Sequence, residues 1–189
     1  MRYANRLVLF LLLLAGIAVA QVPKGNIFFG YSYLNADVVP NQRASFNGWN
    51  ASLEGKVLPL VGIVADFGGY YGTHDVPLPT AGIPCTSAGC PSISAKQNTY
   101  TVMFGPRISA SVGKFTPFAQ ALFGVGHTNA SATGFSNSDT SFATGLGGGL
   151  DYKLIPLLAW RFQGDYLHTK FFGNGQGDFR FSTGIVLRF

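Results

Sequence analysis

Eight charged residues stand inside stretches that are otherwise apolar, small or glycine-rich, and they are the chain's main candidates for chemistry. Glu54, Asp66, Asp151 and Asp165 are the acids; Arg107, Arg161, Arg180 and Arg188 are the bases, with Lys56 and Lys153 near turns. A desolvated charge persists only when it is paired and hydrogen-bonded. These residue types therefore predict a buried network of ion pairs. Acid–base chemistry between the carboxylates would also need a way in for a substrate, and nothing in the sequence suggests one.

The remaining reactive residues are few. Cys85 and Cys90, in Cys85-Thr-Ser-Ala-Gly-Cys90, are the only cysteines, and in an exported chain two near cysteines most simply form a disulfide. Its small ring would stiffen a loop tip more than it would stabilise the fold. A metal would need further ligands, and only His74 is near, so no metal is expected. His127-Thr128-Asn129 and His168-Thr169-Lys170 put hydroxyls beside imidazoles. A hydrolase would also need an orienting carboxylate, and none stands in the right phase. These histidines read as interfacial residues. No cofactor is implied.

The elements that carry the charges are β-strands. In residues 178–189, Phe179, Phe181, Thr183, Ile185, Leu187 and Phe189 fall on one face, and Arg180, Ser182, Gly184, Val186 and Arg188 on the other. Seven further stretches repeat this alternation: 24–34, 46–56, 61–72, 98–109, 116–127, 141–153 and 158–169. The fifth is ambiguous, because Phe118 and Leu122 on one face are as greasy as Phe123 and Val125 on the other. Each stretch is near the 9–11 residues that a tilted strand needs to cross a bilayer.

Connection lengths alternate. Residues 57–60, 111–115 and 154–157 are short and carry Pro or Gly, whereas 35–45, 73–97, 128–140 and 170–177 are longer and polar. Short–long alternation is the pattern of an up-and-down barrel with tight periplasmic turns and longer outer loops. A Greek-key sandwich has no reason to sort its loops this way. The predicted fold is all-β: an eight-stranded antiparallel up-and-down transmembrane β-barrel whose greasy face meets lipid. Barrels of this size have interiors filled by side chains.

Counted from the short turns, Glu54, Arg107, Asp151, Arg161 and Arg188 form a low tier, and Asp66, Gln163, Asp165 and Arg180 a higher one. The expectation is two tiers of ion pairs plugging the lumen; a gated polar pore is the functional alternative. Inward Gly30, Gly105, Gly145, Gly147 and Gly149 would make room for long polar neighbours. Pro106 lacks a ladder donor and predicts a local irregularity. Phe115, Tyr152, Trp160 and Phe189 by the short turns, and Tyr33, Tyr71, Tyr100, Phe142, Tyr166 and Phe179 toward the loops, would form two interfacial girdles.

Residues 1–20 read as a signal peptide, with Arg2 and Arg6, an apolar run over 7–19, and Ala18-Val19-Ala20 before the cleavage point. Residues 21–189 then form the single barrel domain. Removing Arg2 and Arg6 lowers the formal net charge from +5 to +3. The remaining basic residues are scattered, which argues against nucleic-acid binding.

With these elements in place, the chain resembles the small eight-stranded outer-membrane barrels of diderm bacteria, similar to the barrel of outer-membrane protein A. The resemblance rests on Phe104-Gly105-Pro106-Arg107, on Gly145-Leu146-Gly147-Gly148-Gly149-Leu150-Asp151, on Asp165-Tyr166-Leu167 and on Gly184-Ile185-Val186-Leu187-Arg188-Phe189. It implies a bacterial outer-membrane location, with outer-membrane lipid and lipopolysaccharide as surroundings and a monomeric state. It also implies periplasmic chaperones and the barrel assembly machinery as partners in biogenesis. Ile185, Leu187 and Phe189 would be the assembly signal, although many family members carry Tyr where this chain has Leu187. The resemblance implies location and assembly route, not a substrate; the function expected for the chain is that of a non-enzymatic barrel whose outer loops serve adhesion, surface protection or envelope integrity. A small solute pore and an outer-leaflet lipid-modifying enzyme are the alternatives.

Overall fold

The computed structural model describes residues 24–39, 42–77, 92–132, 135–171 and 175–189. The signal-peptide reading and the Cys85/Cys90 pair lie outside the described residues. Eight strands follow one another in chain order: β1 (Gly25–Val39), β2 (Gln42–Lys56), β3 (Val61–Pro77), β4 (Ser92–Ser109), β5 (Phe115–Ala132), β6 (Phe135–Ile155), β7 (Leu158–Thr169) and β8 (Gln176–Arg188). Each pairs antiparallel with the next, and β8 returns to β1 through the run from Asn26↔Arg188 to Asn35↔Phe179. The sheet is a closed barrel. Closure leaves no unpaired strand edge, a condition for a strand structure in lipid.

The side-chain phase follows the sequence alternation. Phe29, Phe104, Phe142, Leu146, Trp160, Phe162, Ile185 and Leu187 point outward and are exposed, whereas Phe28, Asp66, Arg107, Asp151, Arg161 and Arg180 point inward and are buried. The ambiguous fifth strand is resolved: Phe118, Gln120 and Leu122 line the interior, and Phe123 and Val125 face outward. Greasy residues on both faces had hidden this, because the interior here is itself partly apolar.

The strands are longer than the alternation suggests. Seven of them run past the expected boundary on the long-loop side, β8 by only two residues, so that most of residues 35–45, 73–77, 92–97 and 128–140 is hairpin ladder rather than loop. Hydrophobic alternation stops where lipid stops, but backbone pairing need not. The extensions are written in polar residues such as Asn129, Ser131, Ser136, Asn137, Ser138 and Thr140.

At the other end the turns are tight. Val112 and Phe115 exchange both backbone hydrogen bonds around Gly113-Lys114, and Gly113 takes φ = 61°. Positive φ at the first central residue of a two-residue hairpin matches the twist of the strands and favours glycine. Pro106 does perturb its strand. Pairing with β5 lapses at Gly105 and Pro106 and resumes at Arg107↔Gln120 in the same register, while pairing with β3 is continuous.

Candidate functional site

The lumen is the place where this chain concentrates its polar chemistry, and alternate residues of all eight strands build it. In the tier nearer the short turns, Arg107 on β4 reaches Glu54 on β2 at 2.9 Å, and Glu54 also takes Asn26 at 2.8 Å and Lys56 at 3.0 Å. Arg161 on β7 grips Asp151 on β6 with two bonds, Nε to Oδ1 at 2.7 Å and Nη2 to Oδ2 at 2.9 Å. This two-pronged geometry is the strongest that an arginine and a carboxylate can make. Arg188 approaches the same Asp151 more loosely, at 3.5 Å.

In the second tier Arg180 sits between two acids. Its Nη1 reaches Asp66 Oδ1 at 2.6 Å and its Nε reaches Asp165 Oδ2 at 2.9 Å. Its Nη2 lies 2.8 Å from Asp165 but out of line for a hydrogen bond. Arg180 and Asp66 are fully buried. Asn50 donates to Asp66, Gln163 donates to Asp165, and Arg180 also reaches the Tyr70 hydroxyl at 3.3 Å. Two acids around one guanidinium leave a negative surplus, which these neutral donors disperse.

The structure thus brings all eight candidate charges into one lumen and sorts them into the two tiers. Several partners were not evident from sequence. Gln120 accepts Arg107 Nε at 3.0 Å and Nη2 at 2.6 Å on its amide oxygen, and donates to Asp165 at 2.7 Å. The Phe118 ring lies between two guanidiniums, 4.4 Å from Arg107 and 4.7 Å from Arg161, and Phe28 is 5.1 Å from Arg161. Ring faces carry negative potential, so they hold cations together that would otherwise repel. The signal that was available is a lone glutamine in mid-strand on β5; the doubtful phase of that strand masked it.

Glycines fit this filling closely. A Cβ on Gly147 would stand 2.1 Å from Asp165 Oδ1, and one on Gly149 would stand 2.7 Å from the Phe118 ring. Toward the long hairpins the interior turns apolar. Leu34, Phe46, Tyr70, Met103, Leu122, Ala143 and Leu167 form one buried cluster, at or beyond the level of the upper tier. Toward the short turns the interior instead opens into a vestibule of about 1130 Å³, floored by Arg107, Arg161 and Phe118 and rimmed by Lys24, Lys56, Arg188 and the short turns.

The histidines do not form a site. His127 Nδ1 lies 2.7 Å from Thr140 Oγ1, and Asn129 Nδ2 lies 3.4 Å from its Nε2. On β6, His127 faces Thr140 and His168 faces Thr144. Four residues along that strand, at ~3.3 Å each, and two strand spacings of ~4.8 Å separate them. The backbone of His74 lies on β3, opposite Ala95. Among the described residues no three metal-ligating side chains cluster.

Outward aromatics run the length of the span, with Phe67 and Phe104 packed at 6.5 Å in its middle, and a further pair stands at each end. Phe115 and Tyr152 pack at 5.3 Å by the short turns, and Tyr71 and Tyr100 at 5.9 Å on the other side. Their polar tips are used: Trp160 Nε1 donates to Thr183 at 2.9 Å, and the Tyr33 hydroxyl meets Ser45 at 2.7 Å. Apolar bodies with satisfied polar ends suit the boundary between lipid and water.

The family model for the outer membrane protein beta-barrel domain matches residues 7–189, and the chain belongs to this family. Among solved structures, the attachment invasion locus protein of Yersinia pestis is similar with a TM-score of 0.57 at 17% identity, over 88% of this chain and 100% of that one. Neisserial surface protein A is similar with a TM-score of 0.66 at 12% identity, over 87% and 97%. The outer membrane protease of Escherichia coli is similar with a TM-score of 0.52 at 10% identity, over 89% and 98%. Comparison with curated protein sequences finds none that matches. At these identities the solved structures establish the fold alone; the family places the chain in the bacterial outer membrane.

Proposed function

We propose that this member of the outer membrane β-barrel family is a non-enzymatic protein with a sealed lumen, whose outward hairpins act at the cell surface in adhesion, surface protection or envelope integrity. The observation that carries this reading is Arg180, fully buried between Asp66 and Asp165 in mid-lumen and backed by the apolar cluster around Phe46, Met103 and Leu122. A conducting path would have to break a doubly paired buried guanidinium, and breaking one buried pair costs about 3–5 kcal/mol. The polar, strand-built extensions beyond the Tyr71–Tyr100 pair present a stiff surface. The names of two structural neighbours, an attachment invasion locus protein and a surface protein, are in keeping with such a role.

Planar-bilayer recording tests the sealed lumen. The expected trace is flat; stable channels of reproducible size would favour the second reading, a small solute pore, which the open vestibule supports. A protease among the neighbours means that the fold alone does not decide against catalysis. The reading of this chain as a non-enzyme rests on its own side chains, the separated His127 and His168 above all. Unchanged lipid A and phospholipid profiles on overexpression are expected, as is full function after H127A and H168A.

A further inference from the structure

The vestibule at the short-turn end is lined by five cationic side chains, Lys24, Lys56, Arg107, Arg161 and Arg188, and by two acidic ones, Glu54 and Asp151. The acids have little left to offer. Glu54 Oε2 takes Asn26 and Arg107 while its Oε1 has only the ion pair to Lys56 at 3.0 Å, out of line for a hydrogen bond, and Asp151 takes both prongs of Arg161 and the approach of Arg188.

Of the cations, Lys56 donates to Ser109 and pairs with Glu54, with further ammonium hydrogens to give, and the arginines are less fully engaged. Arg161 is 1% exposed, yet its Nη1 has only Ser52 at 3.5 Å, the limit of a hydrogen bond. Arg188 is held by Thr116 at 3.3 Å and Asp151 at 3.5 Å, both long for charge-assisted bonds. Ser109, Ser111 and Thr116 add hydroxyls to the same walls. The vestibule is thus a concave space with five cations against two acids, with donors to spare and with most acceptor oxygens already engaged, which is the complement of an oxyanion. Its volume of about 1130 Å³ exceeds what a bare ion fills. Apolar Val57, Leu58 and Leu157 at the rim suit an organic group attached to that ion.

We propose that this vestibule is a binding site for an organic phosphate entering from the periplasmic side, with Arg188 and Lys56 as its principal ligands above the Arg161–Phe118–Arg107 floor. The inference rests on the sealed-lumen reading, which makes the vestibule a blind pocket rather than a channel entrance. A tetrahedral, multiply charged group accepts from several walls at once, which a ring of donors from β2, β4, β7 and β8 provides. Soluble phosphate esters and phospholipid headgroups share this chemistry.

The protein refolded into phosphatidylcholine nanodiscs is titrated with glycerol 3-phosphate and with inorganic pyrophosphate by calorimetry. Saturable binding that weakens with salt is expected, and R188Q and K56Q should each lower affinity about tenfold, the effect of losing one charge-assisted bond. Retained heat-modifiable gel migration establishes that each variant is folded. Absence of saturable binding to either probe, or unchanged affinity in both folded variants, overturns the proposal. With phosphatidylglycerol added to the nanodiscs, weaker apparent binding of pyrophosphate would identify a lipid headgroup as occupant, and unchanged binding a soluble ester. Conductance would reveal failure of the sealed-lumen reading separately, because a pore can conduct whether or not its mouth binds phosphate.

Discussion

Gln120 donates its side-chain amide to Asp165 at 2.7 Å, and this bond joins the lower ion-pair tier to the upper one. Its oxygen meanwhile receives two donors from Arg107. The orientation of the amide is fixed by chemistry: a guanidinium offers no acceptor and a carboxylate no donor, so only one end of the amide suits each.

Replacing Gln120 by Leu should therefore be costly despite the similar size. It leaves two Arg107 donors and one Asp165 acceptor unmet in a buried site, for a loss of about 2–4 kcal/mol. Denaturant unfolding in detergent should show a clearly lower midpoint than wild type. An unchanged midpoint would mean that the two tiers stand independently.

Arg180→Met should destabilise more, by about 3–5 kcal/mol, because it strands Asp66 and Asp165 as neighbouring buried acids. The triple variant R180M/D66N/D165N removes the stranded charge and should recover much of that loss. Non-additivity between the single and triple variants measures the coupling. If the triple variant is as unstable as R180M, packing rather than charge holds this tier.

Two glycines should differ in their tolerance of alanine. In Gly147→Ala the new methyl would meet Asp165 Oδ1 at 2.1 Å and the Gly164 carbonyl oxygen at 2.5 Å, so the tier must shift and the barrel should lose about 1–3 kcal/mol. At Gly55 nothing lies within 4 Å, and Ala there should stay within about 0.5 kcal/mol of wild type. Thermal loss of the fast-migrating gel band in the two variants gives the comparison.

Phe189 has two separable roles. Its backbone exchanges both hydrogen bonds with Gly25, 3.0 and 3.1 Å long, next to the β1–β8 seam, while its ring is half exposed. Phe189→Ala keeps the backbone pair, so a refolded barrel should melt close to wild type, whereas insertion in cells should fall sharply if the ring belongs to an assembly signal. Deleting Phe189 should add a loss of stability through the missing pair. Normal insertion of Phe189→Ala in cells would remove the ring from that role.

Much of the site was legible residue by residue, and the exceptions have physical causes. The charged residues were identifiable because an ionised group in a greasy alternating stretch has only one tolerable direction, inward. Gln120, Phe118 and Tyr70 were harder, since an interior that mixes apolar and polar residues makes hydrophobicity an unreliable guide to phase. The strand extensions beyond residues 34, 72 and 127 were read as loops because a ladder outside the membrane needs no alternation. The polar sequence there describes its solvent, not its backbone.

By itself the sequence determined which face of seven of the eight strands meets lipid, how many strands there are and which way the chain runs; the phase of the fifth was decided by the structure. These follow from a period of two and from the cost of burying charge, both local properties. Only the tertiary structure decided which acid meets which base. Glu54 and Arg107 are 53 residues apart, and Asp66 and Arg180 are 114 apart. Their meeting depends on the register of every intervening hairpin and on the closure of β8 against β1. The same closure made one end of the lumen a packed apolar layer and the other an open cationic vestibule, a difference that no single strand contains.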